Sequence, residues 1–218
     1  DASDVRLLAV SKTFPAADVR ALAAAGQRDF GENYLQEAVD KIAALKDEGL
    51  RWHFIGPIQS NKTRRIAEAF DWVQSVESVR IAQRLSAQRP ADLPALNVCL
   101  QVNVSGEASK SGCRPDETIA LAAAVEDLPR LAAGLRGLEH QLRGLMAIPE
   151  PTDDMALQAR RFGELRALFD QVKAALGDSA AAFDTLSMGM SADIEAAISQ
   201  GATLVRVGSA LFGERPRR

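Results

Sequence analysis

Leu204-Val205-Arg206-Val207-Gly208, residues 204–208, is the last of eight short β-like runs in this 218-residue chain, and the count of eight decides the fold. The other seven are Arg6–Lys12, Arg28–Gly31, Trp52–Gly56, Trp72–Val76, Leu96–Asn103, Leu142–Ile148 and Phe183–Met188. Between them lie segments with apolar residues at helical spacing, such as Val19, Leu22 and Ala23, then Tyr34, Ala38, Ile42 and Leu45. The longest, Asp154–Leu176, sets Leu157, Phe162, Leu165, Leu168, Phe169 and Val172 on one stripe, and Gly177 is suited to end it. Strand and helix alternating from end to end is the pattern of repeated βα units on a parallel sheet. Eight units predict a closed (β/α)8 barrel of the TIM type. An open doubly wound sheet is the alternative, because strand order is not written in one sequence. No Pro- or Gly-rich linker divides the chain, so residues 1–218 read as one domain.

Composition narrows the class further. Hydrophobic residues make up 47% and charged residues 25%, which suits a packed core and argues against disorder. A formal charge of −3, with no basic stripe interleaved with aromatics, argues against nucleic acid as a partner. No apolar stretch approaches the roughly 18 residues of a membrane helix, and the start lacks a signal peptide's pattern, so a cytoplasmic protein with no membrane partner is expected. Cys99 and Cys113 make no disulfide framework, and with His53 and His140 they match no zinc spacing, so no metal is expected. Cys99 lies in the apolar run Ala95–Val104 and reads as a small buried hydrophobe. His53 reads as a satisfied core histidine, and Trp52 and Trp72 as packing residues.

The chemistry gathers at the carboxyl ends of the runs. Lys12 ends the first and shares a face with Leu8 and Val10, so it points into a barrel if they do. An amine there stands where barrel enzymes place active sites, above an apolar wall that disfavours its charged form and makes it a nucleophile. Closing the barrel brings the eighth run beside the first, and with it Arg206, on the same face as Leu204 and Gly208. An arginine turned inward requires a partner. Gly208-Ser209 follows it, and Ser187-Met188-Gly189-Met190-Ser191 opens a helix expected at Ala192–Gln200. Glycines admit an anion to backbone amides and a helix start offers free N–H groups, so these segments form a phosphate cup; helix capping by Ser191 and a tight turn is the plainer reading. Asp193 must then point away from any phosphate. An amine beside a phosphate cup suits pyridoxal phosphate (PLP), and equally a sugar phosphate on a Schiff-base aldolase.

The ordered motifs Ala9-Val10-Ser11-Lys12-Thr13, Phe30-Gly31-Glu32-Asn33-Tyr34, Trp52–Lys62, Ser109-Lys110-Ser111-Gly112, Arg143–Pro149, Ser187–Asp193 and Val205–Gly213 span nearly the whole chain. Together they resemble the PLP homeostasis proteins (the YggS or PROSC family), whose barrel is alanine racemase-like and of PLP fold type III. The resemblance implies that Lys12 forms the Schiff base, that Ser191, Gly208 and Ser209 hold the phosphate, that Arg206 faces the pyridine nitrogen and that Asn33 bonds the ring hydroxyl. With Ser187, these seven residues are the expected cofactor-binding set, with no catalytic residue among them. A guanidinium yields its proton with difficulty, so the ring nitrogen stays unprotonated and the cofactor is a poor electron sink. The implied function is a monomeric PLP carrier that buffers the cofactor and delivers it to PLP-requiring apoenzymes. An amino-acid racemase is the alternative; racemases of this fold use a second base, a tyrosine from a separate domain, whereas Tyr34 reads as a helix-face residue. The chain departs from its relatives in three places. Only Asp1–Val5 precede the first strand where related chains carry a helix, Phe14 stands where many carry a second lysine, leaving Lys110 as the candidate relay, and Ala132–Gln141 reads as an insertion.

Overall fold

Eight parallel strands close into a barrel in the order β1 to β8 in a computed structural model, which describes residues 4–107, 110–127 and 140–213. The strands are β1 (Arg6–Val10), β2 (Asp29–Glu32), β3 (Arg51–Phe54), β4 (Trp72–Val76), β5 (Leu96–Gln101), β6 (His140–Met146), β7 (Thr185–Ser187) and β8 (Leu204–Val207). The open-sheet alternative is thereby excluded, since β8 pairs with β1 and sets Leu8 opposite Arg206. The α-helices among the described residues are α1 (Ala16–Ala24), α2 (Leu35–Ala44), α3 (Thr63–Ala69), α4 (Val79–Gln88), α5 (Thr118–Glu126), α6 (Met155–Leu176), α7 (Ile194–Ser199) and α8 (Ser209–Phe212). None is long and apolar enough to cross a membrane.

Alternation along each strand sorts the residues into two environments. Phe30, Trp52, Phe54, Val73, Leu186 and Val205 turn outward into the apolar layer beneath the helices, where the α6 stripe Phe162, Leu165, Leu168, Phe169 and Val172 meets them. Each such side chain contributes about 1.5–3 kcal/mol by burial. The inward faces are mixed. Leu8, Val10, Ile55 and Leu204 form a small apolar cluster, and Gly31 makes room for it, since a Cβ there would lie 3.1 Å from Leu8 and 3.2 Å from Ile55. Beside that cluster the barrel buries His53, Gln74, Ser187 and Arg206. His53 stacks on Trp72, with ring centroids 5.1 Å apart, and the guanidinium groups of Arg6 and Arg143 lie 5.3 and 4.8 Å from the Trp72 ring. Trp72 therefore takes cations as well as packing. Both cysteines are buried and free.

Several boundaries differ from those the sequence suggests, each for a local reason. α6 begins where Asp154 caps it, its carboxylate accepting from the amides of Ala156 and Leu157, and Gly177 ends it. The helix expected at Ala192–Gln200 starts only at Ile194. Asp193 turns its carboxylate back onto the Met190 amide at 2.6 Å and closes a turn over Met190–Asp193, so Ser191 caps nothing. β1 ends at Val10, although the Ser11 amide still donates to the Gly31 carbonyl at 3.0 Å; the chain turns beyond it, where Thr13 takes a left-handed backbone conformation (φ 70°). Ser109 and residues 132–139 of the expected insertion lie outside the described residues.

Candidate cofactor site

At the carboxyl end of the strands lies a cavity of about 270 Å³, near the lower end of the roughly 300–1,000 Å³ usual for small-ligand sites. Of the residues singled out in the sequence, Lys12, Asn33, Ser191, Arg206, Gly208 and Ser209 all line it. Val10, Ile55, Ile148, Met190 and Ala192 complete the wall. The apolar members come from the strand ends and the loops after them, so a planar ring has a greasy wall on which to lie. Ser191 and Ser209 bring two hydroxyls to the lining, and Gly208 adds a residue without a side chain.

Lys12 sits on a platform built from charged side chains. The buried Lys41 amine donates to Glu32 Oε1 at 2.6 Å, to the Ser11 carbonyl at 2.8 Å and to Glu37 Oε1 at 3.2 Å. Ser11 Oγ donates to the same Glu32 oxygen at 2.6 Å, and the Thr13 amide donates to Glu37 at 2.5 Å. The residues on both sides of Lys12 are thus fastened to β2 and α2. Burial pushes the Glu32 carboxyl above its ordinary 4.5, against the pull of Lys41. Lys41→Met removes the one cation bonded to this carboxylate among the described residues and should cost about 3–5 kcal/mol at neutral pH. The deficit should shrink towards pH 4.5 in urea unfolding curves, because a carboxyl with a raised folded pKa is most stable in its protonated form and loses stability as pH rises.

Arg206 lies beneath the cavity, 3% exposed, and its acceptors among the described residues are uncharged. One terminal nitrogen donates to Ser187 Oγ and the other to the Ala147 carbonyl, each at 2.8 Å. Burial pushes the guanidinium down to about 10, which still leaves it charged at neutral pH. It offers only donors, so an aromatic nitrogen facing it has to act as an acceptor.

Ser187 stands apart from the other six expected residues. Its hydroxyl is fully buried and committed, accepting from Arg206 and donating to Gln74 Oε1 at 2.6 Å, and it does not line the cavity. His53 is the satisfied core histidine that was expected, bonded to Asp29 and Gln74. Asn33 does not cap α2; Tyr34 occupies the cap position. Gly56 lets Asn33 stand where it does, since a Cβ at Gly56 would lie 2.3 Å from the Asn33 carbonyl oxygen. The sequence reading passed over Gln74. The available signal was its inward position in β4, where alternation puts it on the same face as Trp72.

The side-chain oxygen of Asn33 is buried at the cavity with no hydrogen-bond partner among the described residues. A hydroxyl on a bound ring would satisfy it. An amine, a buried acceptor left unbonded among the described residues, a donor-only cation and two hydroxyls beside a glycine line one cavity, a set that fits a phosphorylated aromatic aldehyde such as PLP.

Comparison with known proteins agrees with this chemistry. Residues 2–216 match the family described as alanine racemase, N-terminal domain. The chain is 63% identical over 215 residues to the pyridoxal phosphate homeostasis protein of Pseudomonas aeruginosa, covering 99% of this chain and 86% of that one. It is 50% identical to the protein of the same name from Escherichia coli, covering 97% and 86%. Among solved structures, PipY of Synechococcus elongatus with PLP bound superposes with a TM-score of 0.80 at 38% identity, over 96% of this chain and 93% of that one. Alanine racemase from Corynebacterium glutamicum, at 17% identity and a TM-score of 0.69, covers 99% of this chain and 57% of that one and shares the fold. The chain belongs to the pyridoxal phosphate homeostasis protein family, built on the alanine racemase N-terminal barrel.

Proposed function

We propose that this chain is a PLP carrier. PLP sits in the cavity at the barrel mouth, and Lys12 holds it as a Schiff base: the neutral amine adds to the aldehyde carbon and water leaves. Asn33 takes the ring hydroxyl, Arg206 faces the ring nitrogen, and Ser191, Gly208 and Ser209 hold the phosphate. The observation that carries the reading is the convergence of these six residues on one cavity. The relative solved with PLP bound supports it. Storing a reactive aldehyde this way buffers its free concentration, and delivery to apoenzymes follows when the Schiff base is hydrolysed. Lys110 is the candidate relay for that delivery, since it lines an adjoining cavity of about 220 Å³ that shares Asn33, Ile55 and Ile148 with the first. In this reading a single domain, residues 1–218, works as a cytoplasmic monomer.

The absence of robust catalysis is part of the proposal. The titratable side chains lining the cavity are Lys12 and Arg206, and a guanidinium is a poor base. Tyr34, the one tyrosine in the sequence, stands 49% exposed at the start of α2 and does not line the cavity. Among the described residues lining the cavity, racemisation by proton removal on one face and return on the other finds no second base. Incubated with PLP and L-alanine in deuterated water, the protein should exchange the α-proton no faster than free PLP does. Exchange that depends on Lys12 and outpaces free PLP would make it a racemase instead.

A further inference from the structure

The polar residues inside the barrel form a chain with a direction. At its upper end Arg206 can only donate, and its N–H goes to Ser187 Oγ at 2.8 Å. At its lower end the ionised Asp29 can only accept. Burial would raise the Asp29 carboxyl, but bonds from Arg51 and His53 overcome this and hold it well below the usual carboxylate range. These two ends fix everything between them. Ser187, having accepted from Arg206, donates its hydroxyl hydrogen to Gln74 Oε1 at 2.6 Å. The Gln74 amide nitrogen then faces His53 Nδ1 at 2.9 Å and donates to it. His53 is left with its proton on Nε2, 3.1 Å from Asp29 Oδ1. Burial pushes the His53 pKa down, which keeps the ring in this neutral tautomer.

Every donor in the series points from the mouth towards the floor, so each dipole presents its negative end to Arg206. Aligned bonds in a low-dielectric interior reinforce one another. Arg51 grips Asp29 with two bonds, at 2.7 and 2.6 Å, and is itself 56% exposed, so water screens its charge while the carboxylate faces the core. The arrangement gives a buried guanidinium a preferred position although no carboxylate among the described residues is bonded to it.

We propose that Gln74, locked by His53 and Asp29 and acting through Ser187, is the positioning residue that fixes Arg206 beneath the cofactor cavity. The consequence for the cofactor rests on the reading that the cavity takes PLP; the relay itself exists without ligand. It holds Arg206 where it lines the cavity. Loosening the relay therefore weakens PLP binding with Lys12 and the phosphate recess untouched.

The test uses the full chain, PLP-free and PLP-loaded, as wild type, Gln74→Leu and Gln74→Glu. In the PLP-free wild type, nitrogen NMR should find the His53 proton on Nε2 and slow exchange of the Arg206 guanidinium hydrogens. Gln74→Leu should speed that exchange and weaken PLP binding, each by roughly tenfold or more, as expected when a charged donor's buried acceptor loses its support. Gln74→Glu keeps an acceptor for Ser187 and should restore both to within about threefold of wild type while His53 takes up a second proton, since Nδ1 then faces a carboxylate. A His53 proton on Nδ1 in the wild type overturns the proposal, and so does a folded Gln74→Leu with unchanged exchange at Arg206. Should Gln74→Leu fail to fold, the wild-type tautomer and the Gln74→Glu rescue still decide. Failure of the wild type to bind PLP would count against the cofactor reading and leave the exchange measurements to judge the relay.

Discussion

Lys12→Ala, incubated with PLP and desalted, should carry no covalently attached cofactor and lack the violet-edge absorbance of the loaded wild type. The expected loss is complete, because the variant deletes the one amine among the residues lining the cavity. The fold should survive. Lys12 is half-buried at the end of β1, and its neighbours Ser11 and Thr13 are held by Glu32, Lys41 and Glu37 independently of it. Noncovalent binding should persist at reduced affinity, since Arg206, Asn33 and the hydroxyls around Gly208 remain. Equilibrium dialysis with and without borohydride reduction separates the two modes. A variant that still gave a borohydride-resistant adduct would move the Schiff base to another lysine.

Gly144→Ala should have the largest effect on stability, although it touches neither the cavity nor Lys12. Gly144 pairs with Thr185 across β6 and β7, beside a shift of register between β5 and β6, and a Cβ there would lie 1.6 Å from the Thr185 carbonyl oxygen. Both sides of that contact are backbone, so relief requires the strands to part. Overlap of this kind exceeds ordinary overpacking, which costs about 1–3 kcal/mol, and domain stability is typically about 5–15 kcal/mol. The two strands also carry the acceptors of Arg206, the Ala147 carbonyl just past β6 and the Ser187 hydroxyl at the end of β7. Whatever protein folds should therefore bind PLP more weakly, and guanidinium denaturation should show a midpoint far below that of wild type. A midpoint equal to wild type would mean that the β6–β7 contact has slack the close approach does not suggest.

The barrel was legible because the strand count and the closure agree and period-two alternation holds along most strands; it breaks in β4 and β6, where Val73 with Val76 and Leu142 with Leu145 share the outer layer beside shifts of register. Trp72–Val76 was read to the residue, and Leu8 with Val10 did turn inward as the position of Lys12 required. The ends were less legible. The first strand was read through Lys12 but ends at Val10, because nothing local marks the turn at Thr13, whose positive φ goes with an amide bond to Glu37 on a helix 24 residues away. Ser191 looked like a cap, but Asp193 two residues later binds backwards to Met190, and nothing in the order Ser-Ala-Asp says which side chain wins. Ser187 and His53 show a different limit. Alternation gives each its inward face, but the partner of an inward polar side chain lies across the barrel, on strands far away in sequence. Gln74 meets Ser187 over a separation of 113 residues, so the relay becomes visible only in three dimensions.

The central claim is that one amine, Lys12, takes the aldehyde of PLP in a cavity whose other walls hold its ring and phosphate. Borohydride reduction of the PLP-loaded wild type followed by peptide mapping tests it most directly. A single pyridoxyl group on the peptide containing Lys12 is the predicted result. Modification of Lys110 or Lys62 with Lys12 left unmodified would contradict the account.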